Sequence, residues 1–305
     1  MAITASMVKE LRELTGAGMM DCKKALTETD GDMKAAVEAL RKKGLAAAAK
    51  KASRIAAEGL VAFSINEDGK SAAIVEVNSE TDFVAKNEMF QTYVANVAAQ
   101  AAATSASDMD AFMEEPWGPD PSVTVRDALV AKVSVIGENL QIRRFDKIQT
   151  EGYIGSYSHG GGRIGVLVEM SCASVNDAVK EAAKNVAMQV AAMNPKFISR
   201  DDVPAEYLAK EKEILMEQAS KENKPANILE KMVEGRLSKS MKEICLLDQV
   251  YFKDDEKTVG QYLKAVSKEC GVELTVKKYI RYETGEGIEK KQENFADEVA
   301  KQIGR

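Results

Sequence analysis

The sequence runs to 305 residues, 45% hydrophobic and 30% charged, which predicts two or three domains with real cores and many exposed helices. Its formal net charge of −6 opposes broad binding to a phosphate backbone, and no run of about 18 or more apolar residues is present to span a membrane. His159 is the only histidine, Cys22, Cys172, Cys245 and Cys270 are scattered without a CxxC pair, and there is no P-loop or strand-linked GxGxxG; this disfavours disulfide frames, His/Cys metal sites and His-based catalysis, and favours a binding protein that needs no cofactor over an enzyme.

The start, Met1-Ala2-Ile3-Thr4, lacks the basic and apolar regions of a signal peptide, so a cytoplasmic location is expected. Residues 1–54 carry 11 Lys/Arg against 7 Asp/Glu, a balance of +4. Such a basic module suits an acidic protein surface or RNA, or is simply a solvated face. Residues 1–45 read as three short helices. Thr4 or Ser6 caps the first, whose stripe is Val8, Leu11 and Leu14, and Thr15-Gly16-Ala17-Gly18 breaks it. The second covers Met20 to Leu26. Asp32 caps the third, with Met33, Ala36, Val37 and Leu40 inward and Gly44 just past its end. An Ala/Lys-rich helical linker is expected from Ala46 to Ala57.

Residues 58–99 and 151–192 repeat at a constant offset of 93 (151 minus 58). Glu58-Gly59 matches Glu151-Gly152, Gly69 matches Gly162, Val75-Glu76 matches Val168-Glu169, and Val97-Ala98-Ala99 matches Val190-Ala191-Ala192. Each copy reads strand, turn, strand, helix, with the turns at Asn66–Gly69 and His159–Gly162. Between the copies, Ser105 to Ser122 holds Pro116, Pro119, Pro121 and Trp117, and reads as a loop. Val123 to Val135 reads as helix and Leu140 to Phe145 as strand. Pro204 and Pro225 each open a helix, which predicts a helical hairpin. Val250 to Phe252, a helix after Thr258 and a strand from Glu273 to Tyr282 follow. Gly285 and Gly287 mark a hinge, and Ile288 to Ile303 reads as an amphipathic helix carrying Phe295, Val299 and Ile303.

Two motifs carry chemistry of recognition. The first is Asn78-Ser79-Glu80-Thr81-Asp82-Phe83-Val84-Ala85-Lys86-Asn87, which follows a strand and precedes a helix; an acid and a phenylalanine at such a junction can act as a wedge. The second is Thr15-Gly16-Ala17-Gly18-Met19-Met20-Asp21-Cys22-Lys23-Lys24-Ala25-Leu26. Together they resemble the bacterial elongation factor Ts family, the exchange factors of elongation factor Tu. The resemblance covers nearly the whole chain and departs at 105–122 and near His159.

The resemblance implies an α+β fold: a ubiquitin-associated-like three-helix module with its linker (1–54), core subdomains at 55–140 and 141–284, an antiparallel coiled-coil hairpin inserted at about 196–243, and a C-terminal helical module (285–305). It implies that Asp82 and Phe83, flanked by Thr81 and Val84, enter the partner's nucleotide domain near its magnesium site. Ile136-Gly137 would sit beside them, Met19, Met20 and Lys23 would dock on the same domain, His159 would reach another domain, and Phe295 would lie on a further contact. Each has a blander reading. Phe83 is in helical phase with Phe90, Val94 and Val97, which is a core pattern. Gly137 suits an ordinary helix end, a lone histidine is usually exposed or structural, and methionines at a helix start are more often core, though two adjacent ones cannot both face a small core, which leaves one exposed. The implied function is exchange of GDP on elongation factor Tu, bound both with GDP and without nucleotide, with no role for DNA or membrane. One copy per partner and a homodimer or two-plus-two complex remain equally open. The alternative is a non-catalytic adaptor or RNA-binding protein using the basic module. A hydrolase using Asp82 lacks a paired acid at identifiable spacing.

Overall fold

The computed structural model describes residues 3–222 and 225–289. The expected terminal helix, with Phe295, Val299 and Ile303, lies outside them.

Helix α1 (Ala5–Thr15) starts where the Thr4 hydroxyl accepts from the Met7 N–H at 3.2 Å, and ends at Gly16 in the left-handed region. Helix α2 (Met19–Glu28) follows, and Asp32 caps α3 (Met33–Lys51) by accepting from the Ala35 N–H. Their facing stripes close a small core of Val8, Leu11, Cys22, Ala25, Leu26 and Ala36. The third helix is longer than expected and runs through Gly44 to Lys51. Gly44 has Val130 and Ser134 at 3.6 and 3.7 Å from its Cβ position, so its bare backbone lets another helix lie close. Interior glycine costs a helix about 1 kcal/mol, and tertiary packing of this kind offsets it.

The core is a true duplication. The first copy holds β1 (Glu58–Ile65), β2 (Ser71–Ser79), α4 (Asp82–Ala85), α5 (Glu88–Ala103), α6 (Met109–Glu114), β3 (Pro116–Trp117), β4 (Asp120–Thr124), α7 (Val125–Ile136) and β5 (Gln141–Gln149). The second holds β6 (Tyr153–His159), β7 (Ile164–Ser171), α8 (Asp177–Met193), α9 (Ala205–Ser220), α10 (Ala226–Ile244), β8 (Val250–Tyr251), β9 (Asp254–Thr258), α11 (Val259–Cys270) and β10 (Thr275–Glu283). The three-stranded sheets have the orders β1-β2-β5 and β10-β7-β6, so equivalent strands, β2 and β7, are central in both. A Cβ on Gly59 would lie 2.2 Å from the Val77 carbonyl oxygen, and one on Gly152 would lie 2.0 Å from that of Met170. Both glycines permit the same backbone approach, 93 positions apart (152 minus 59).

The duplication also extends further than the first strands and helix. The hairpin pairs Pro116↔Thr124 and Trp117↔Asp120 recur as Val250↔Thr258 and Tyr251↔Asp254, at an offset of 134 (258 minus 124). Thr124 and Thr258 each close a capping box on a 12-residue helix, and Gly137 and Gly271 each end one in the left-handed region. The step from 93 to 134 is an insertion of 41 residues (134 minus 93), which is the length of chain that α9 and α10 and their joints occupy. These two helices pack on each other, and Val203, Met241 and Cys245 form a small core with Phe197, Tyr207 and Leu237.

Residues 105–122 are therefore not a loop. They form α6 and the β3–β4 hairpin, and Trp117 is buried with its ring 5.7 Å from that of Tyr93. The prolines misled because proline is compatible with hairpin edges as well as with loops.

By packing, the described chain forms two units. One comprises residues up to Phe63, Val75–Phe145 and those from Glu283 on; the other comprises Ser64–Ile74 and Asp146–Tyr282. In the second, Val166, Val168 and Met170 of β7 pack with Val179, Ala183, Val186 and Val190 of α8 and with Val259 and Leu263 of α11. In the first, α5 buries Phe90, Tyr93, Val94, Val97, Ala98 and Ala101.

Candidate functional site

The central strand β2 ends at Ser79, and two residues later the chain turns into α4, a single turn with Thr81 at its N-cap. Val84 is buried, whereas Phe83 beside it is 79% exposed. The Asp82 carboxylate lies 2.6 Å from the Lys86 ammonium, and that hydrogen bond holds its carboxyl below the usual value. The same ammonium stands 5.9 Å from the centre of the Phe83 ring. The core phase expected for Phe83 fails because there are two helices and not one. Asn87 starts α5 afresh, its side-chain oxygen accepting from the Met89 and Phe90 N–H groups at 2.9 and 3.4 Å. Phe90 takes the core, and Phe83 is left in solvent.

What fixes this turn is the corner after α7. Ile136 is half-buried and Gly137 exposed, and neither bonds to the turn through a side chain. The two residues after them do the holding. One Glu138 oxygen accepts from the backbone N–H groups of Glu80 and Thr81 at 3.1 and 3.0 Å, and the other accepts from the Thr81 hydroxyl at 2.6 Å. Glu80 reciprocates by accepting from the Asn139 N–H at 2.6 Å. Buried Asn139 then donates to the Arg54 carbonyl at 2.8 Å, and the Arg54 guanidinium reaches Glu80 at 3.4 Å. Sequence reasoning missed Glu80, Glu138 and Asn139 as positioning groups, since partners 58 positions apart share no periodicity.

Further back along β2, Glu76 is fully buried. Its carboxylate accepts from Arg144 at 2.6 Å, from Arg143 at 3.0 Å, from the Asn78 amide at 3.0 Å and from the Gly285 N–H at 2.8 Å. Burial alone raises this carboxyl, but the Gly285 N–H, the Asn78 amide and Arg144 outweigh it and hold it below its ordinary value. Gly285 is thus a close-packed pin and not the open hinge expected: it has φ 72° and a Cβ there would lie 2.1 Å from the Ala57 carbonyl oxygen.

The other expected contact residues are spread out. Met19 and Met20 are both exposed, at 58% and 75%, together with Lys23 and Leu14. Methionines at a helix start more often join the core, and one of the two is expected to be exposed; both are, because Cys22, Ala25 and Leu26 already fill that face of α2. Their module reaches α7: the Cβ position of Gly16 is 3.7 Å from Val135, one residue before Ile136, and Arg41 pairs with Asp127. His159 belongs to the other unit, exposed at the end of β6, with its Nδ1 3.0 Å from the Tyr157 hydroxyl. Phe295 is outside the described residues. The structure thus joins Thr81–Val84 to the Ile136–Gly137 corner through Glu138 and Asn139, and links the module to the same helix.

Among the described residues no group of His, Cys, Asp and Glu is arranged to hold a metal, and no helix is long and apolar enough to cross a membrane. The family model for elongation factor TS matches residues 80–286. Elongation factor Ts of Clostridioides difficile (strain 630) is 56% identical over 301 residues, covering 99% of each chain. That of Clostridium tetani (strain Massachusetts / E88) is 57% identical over 302 residues, with 99% of each chain covered. That of Clostridium novyi (strain NT) is 54% identical over 304 residues, again at 99% of each.

Proposed function

The chain belongs to the elongation factor Ts family, and from that premise we propose that it is the guanine nucleotide exchange factor of elongation factor Tu. Its role is in translation elongation, and its place of work is the cytoplasm. It makes and breaks no covalent bond. A GTPase that holds GDP at nanomolar strength has about 12 kcal/mol of binding free energy to be opposed. The factor opposes it by binding the nucleotide-free form more tightly than the GDP form. GDP and the factor then weaken each other by one shared coupling factor.

The observation that carries this reading is Phe83: a large ring 79% exposed on a turn anchored from beneath. Burying it in a partner contributes roughly 1.5–3 kcal/mol, too little alone. The rest comes from a broad interface and from disturbance of the partner's magnesium and phosphate contacts, where a cation is the largest local charge. Asp82 is the polar half of the wedge. The exposed Met19 and Met20 with Lys23 grip the nucleotide domain, and the tip at His159 grips a second one. Exposed Leu14, Met19 and Met20 favour a protein partner over RNA, whose backbone asks for cations rather than apolar side chains.

The test is release of labelled GDP from elongation factor Tu with Asp82→Ala and Phe83→Ala variants. Because Phe83 is in solvent, its loss should change folding stability by no more than about 0.5 kcal/mol, while release slows by about tenfold or more. Folded Phe83→Ala with undiminished release removes the wedge from the mechanism.

A further inference from the structure

We propose that Glu138 and Glu80 are positioning residues that hold the Phe83 wedge ready before the partner arrives; this rests on the exchange reading above. The two carboxylates exchange caps across the corner. Glu138 receives three hydrogen bonds from Glu80 and Thr81, and Glu80 receives the Asn139 N–H. Helix α4 has only four residues, so its own backbone hydrogen bonds are too few to define a conformation. Its underside offers Val84 alone as a buried anchor. The orientation of Asp82 and Phe83 therefore depends on the two residues before them being pinned, and Glu138 pins both amides with one oxygen.

Arg54 extends the clasp. Its carbonyl accepts from Asn139 and its guanidinium reaches Glu80. Arg54 lies three positions beyond the end of α3 (54 minus 51). The tether of the three-helix module thus ends on the same corner as the wedge. A module seated on the partner would transmit its position to Phe83 through this corner and not through a free linker. The second copy of the repeat has no such device: Ala173 and Ser174 stand where Glu80 and Thr81 do, and the position of Glu138 is taken by Val272, which is buried in the core. The clasp is an addition to the scaffold and not a requirement of it.

Preorganisation of this kind appears in rate more than in affinity. In Glu138→Ala, the maximal rate of GDP release at saturating factor should fall about tenfold, since a misplacement near 1 Å can cost more than that. The half-saturating concentration should change much less, because the module and the remaining surface are untouched. Glu138→Gln should recover most of the loss: its carbonyl can still accept from both amides, and its NH2 can donate to the Thr81 hydroxyl. Thr81→Val, which removes one bond only, should slow release about threefold and serves if Glu138→Ala does not fold. Hydrogen exchange at the Glu80 and Thr81 amides in the free factor gives a readout independent of the partner; protection should be lost in Glu138→Ala and kept in Glu138→Gln. Phe83→Ala is the control. If it slows release while Glu138→Ala and Thr81→Val do not, or if the amides of Glu138→Ala stay protected, the clasp assignment is overturned and the wedge stands. If Phe83→Ala itself leaves release unchanged, the wedge falls and the clasp's role falls with it.

Discussion

The two copies of the repeat share their central strands, their close-packed glycines and their helix caps, and differ in the turns and insertions added to that scaffold. Both place an equivalent strand at the centre of a three-stranded sheet, both use a glycine to admit a neighbouring carbonyl, and both cap a 12-residue helix with a threonine box. They part company just after the central strand. In the first copy Glu80-Thr81-Asp82-Phe83 turns outward as a separate helical turn before α5 begins. In the second, Ala173-Ser174-Val175 leads straight to Asn176, which caps α8 by accepting from the Val179 N–H at 3.0 Å. The second copy spends its additions elsewhere, on the α9–α10 hairpin and the glycine tip beyond His159. One scaffold thus carries two sets of surface features, and function is to be sought in the features.

The shared part is the place for the largest effect. Gly59→Ala and Gly152→Ala each drive a Cβ into a carbonyl oxygen of the central strand, at 2.2 and 2.0 Å. Each should destabilise by about 3 kcal/mol or more in denaturant unfolding. A tolerated alanine at one site only would break the equivalence drawn between the copies.

Glu76 and Glu169 occupy matching positions with unequal burdens. Glu76 is buried and holds two arginines, whereas Glu169 is half-buried and pairs with Ile154 of β6. Glu76→Gln should cost about 3 kcal/mol, and Glu169→Gln about 0.5 kcal/mol. The Glu76 carboxyl is held below its ordinary value in the folded chain. Its contribution is therefore complete above about pH 4.3, the unperturbed carboxylate value, and is lost as the pH falls through the depressed one. The stability gap between the wild-type chain and Glu76→Gln should narrow in that acid window and stay constant above it, as followed by urea titrations across pH.

An effect smaller than that of Glu76→Gln tests the outer helices. Thr124→Ala and Thr258→Ala remove matching caps, and each should cost about 1 kcal/mol in thermal or urea unfolding. A clear inequality would show that α7, which the three-helix module also packs against, is supported from outside its own copy.

Much of this was legible without coordinates, and for a physical reason. The cap at Asp32, the cap at Thr4 or Ser6, the break at Gly16 and the 93-residue repeat all depend on interactions over a few positions or on direct self-similarity, which the order of residues displays. The motif around Asp82-Phe83 was likewise visible. Other features depend on partners far apart in the chain, and only tertiary packing chose them. Phe83 had the phase of a core residue until Asn87 was seen to start a new helix. Trp117 read as part of a loop until it was found buried beside Tyr93 in a hairpin matching that of Tyr251. Gly44 read as a helix end until Val130 and Ser134 were found against it. Glu138 gave no local sign at all, because a carboxylate that caps amides 57 and 58 positions away acquires its role only when the chain has folded around it.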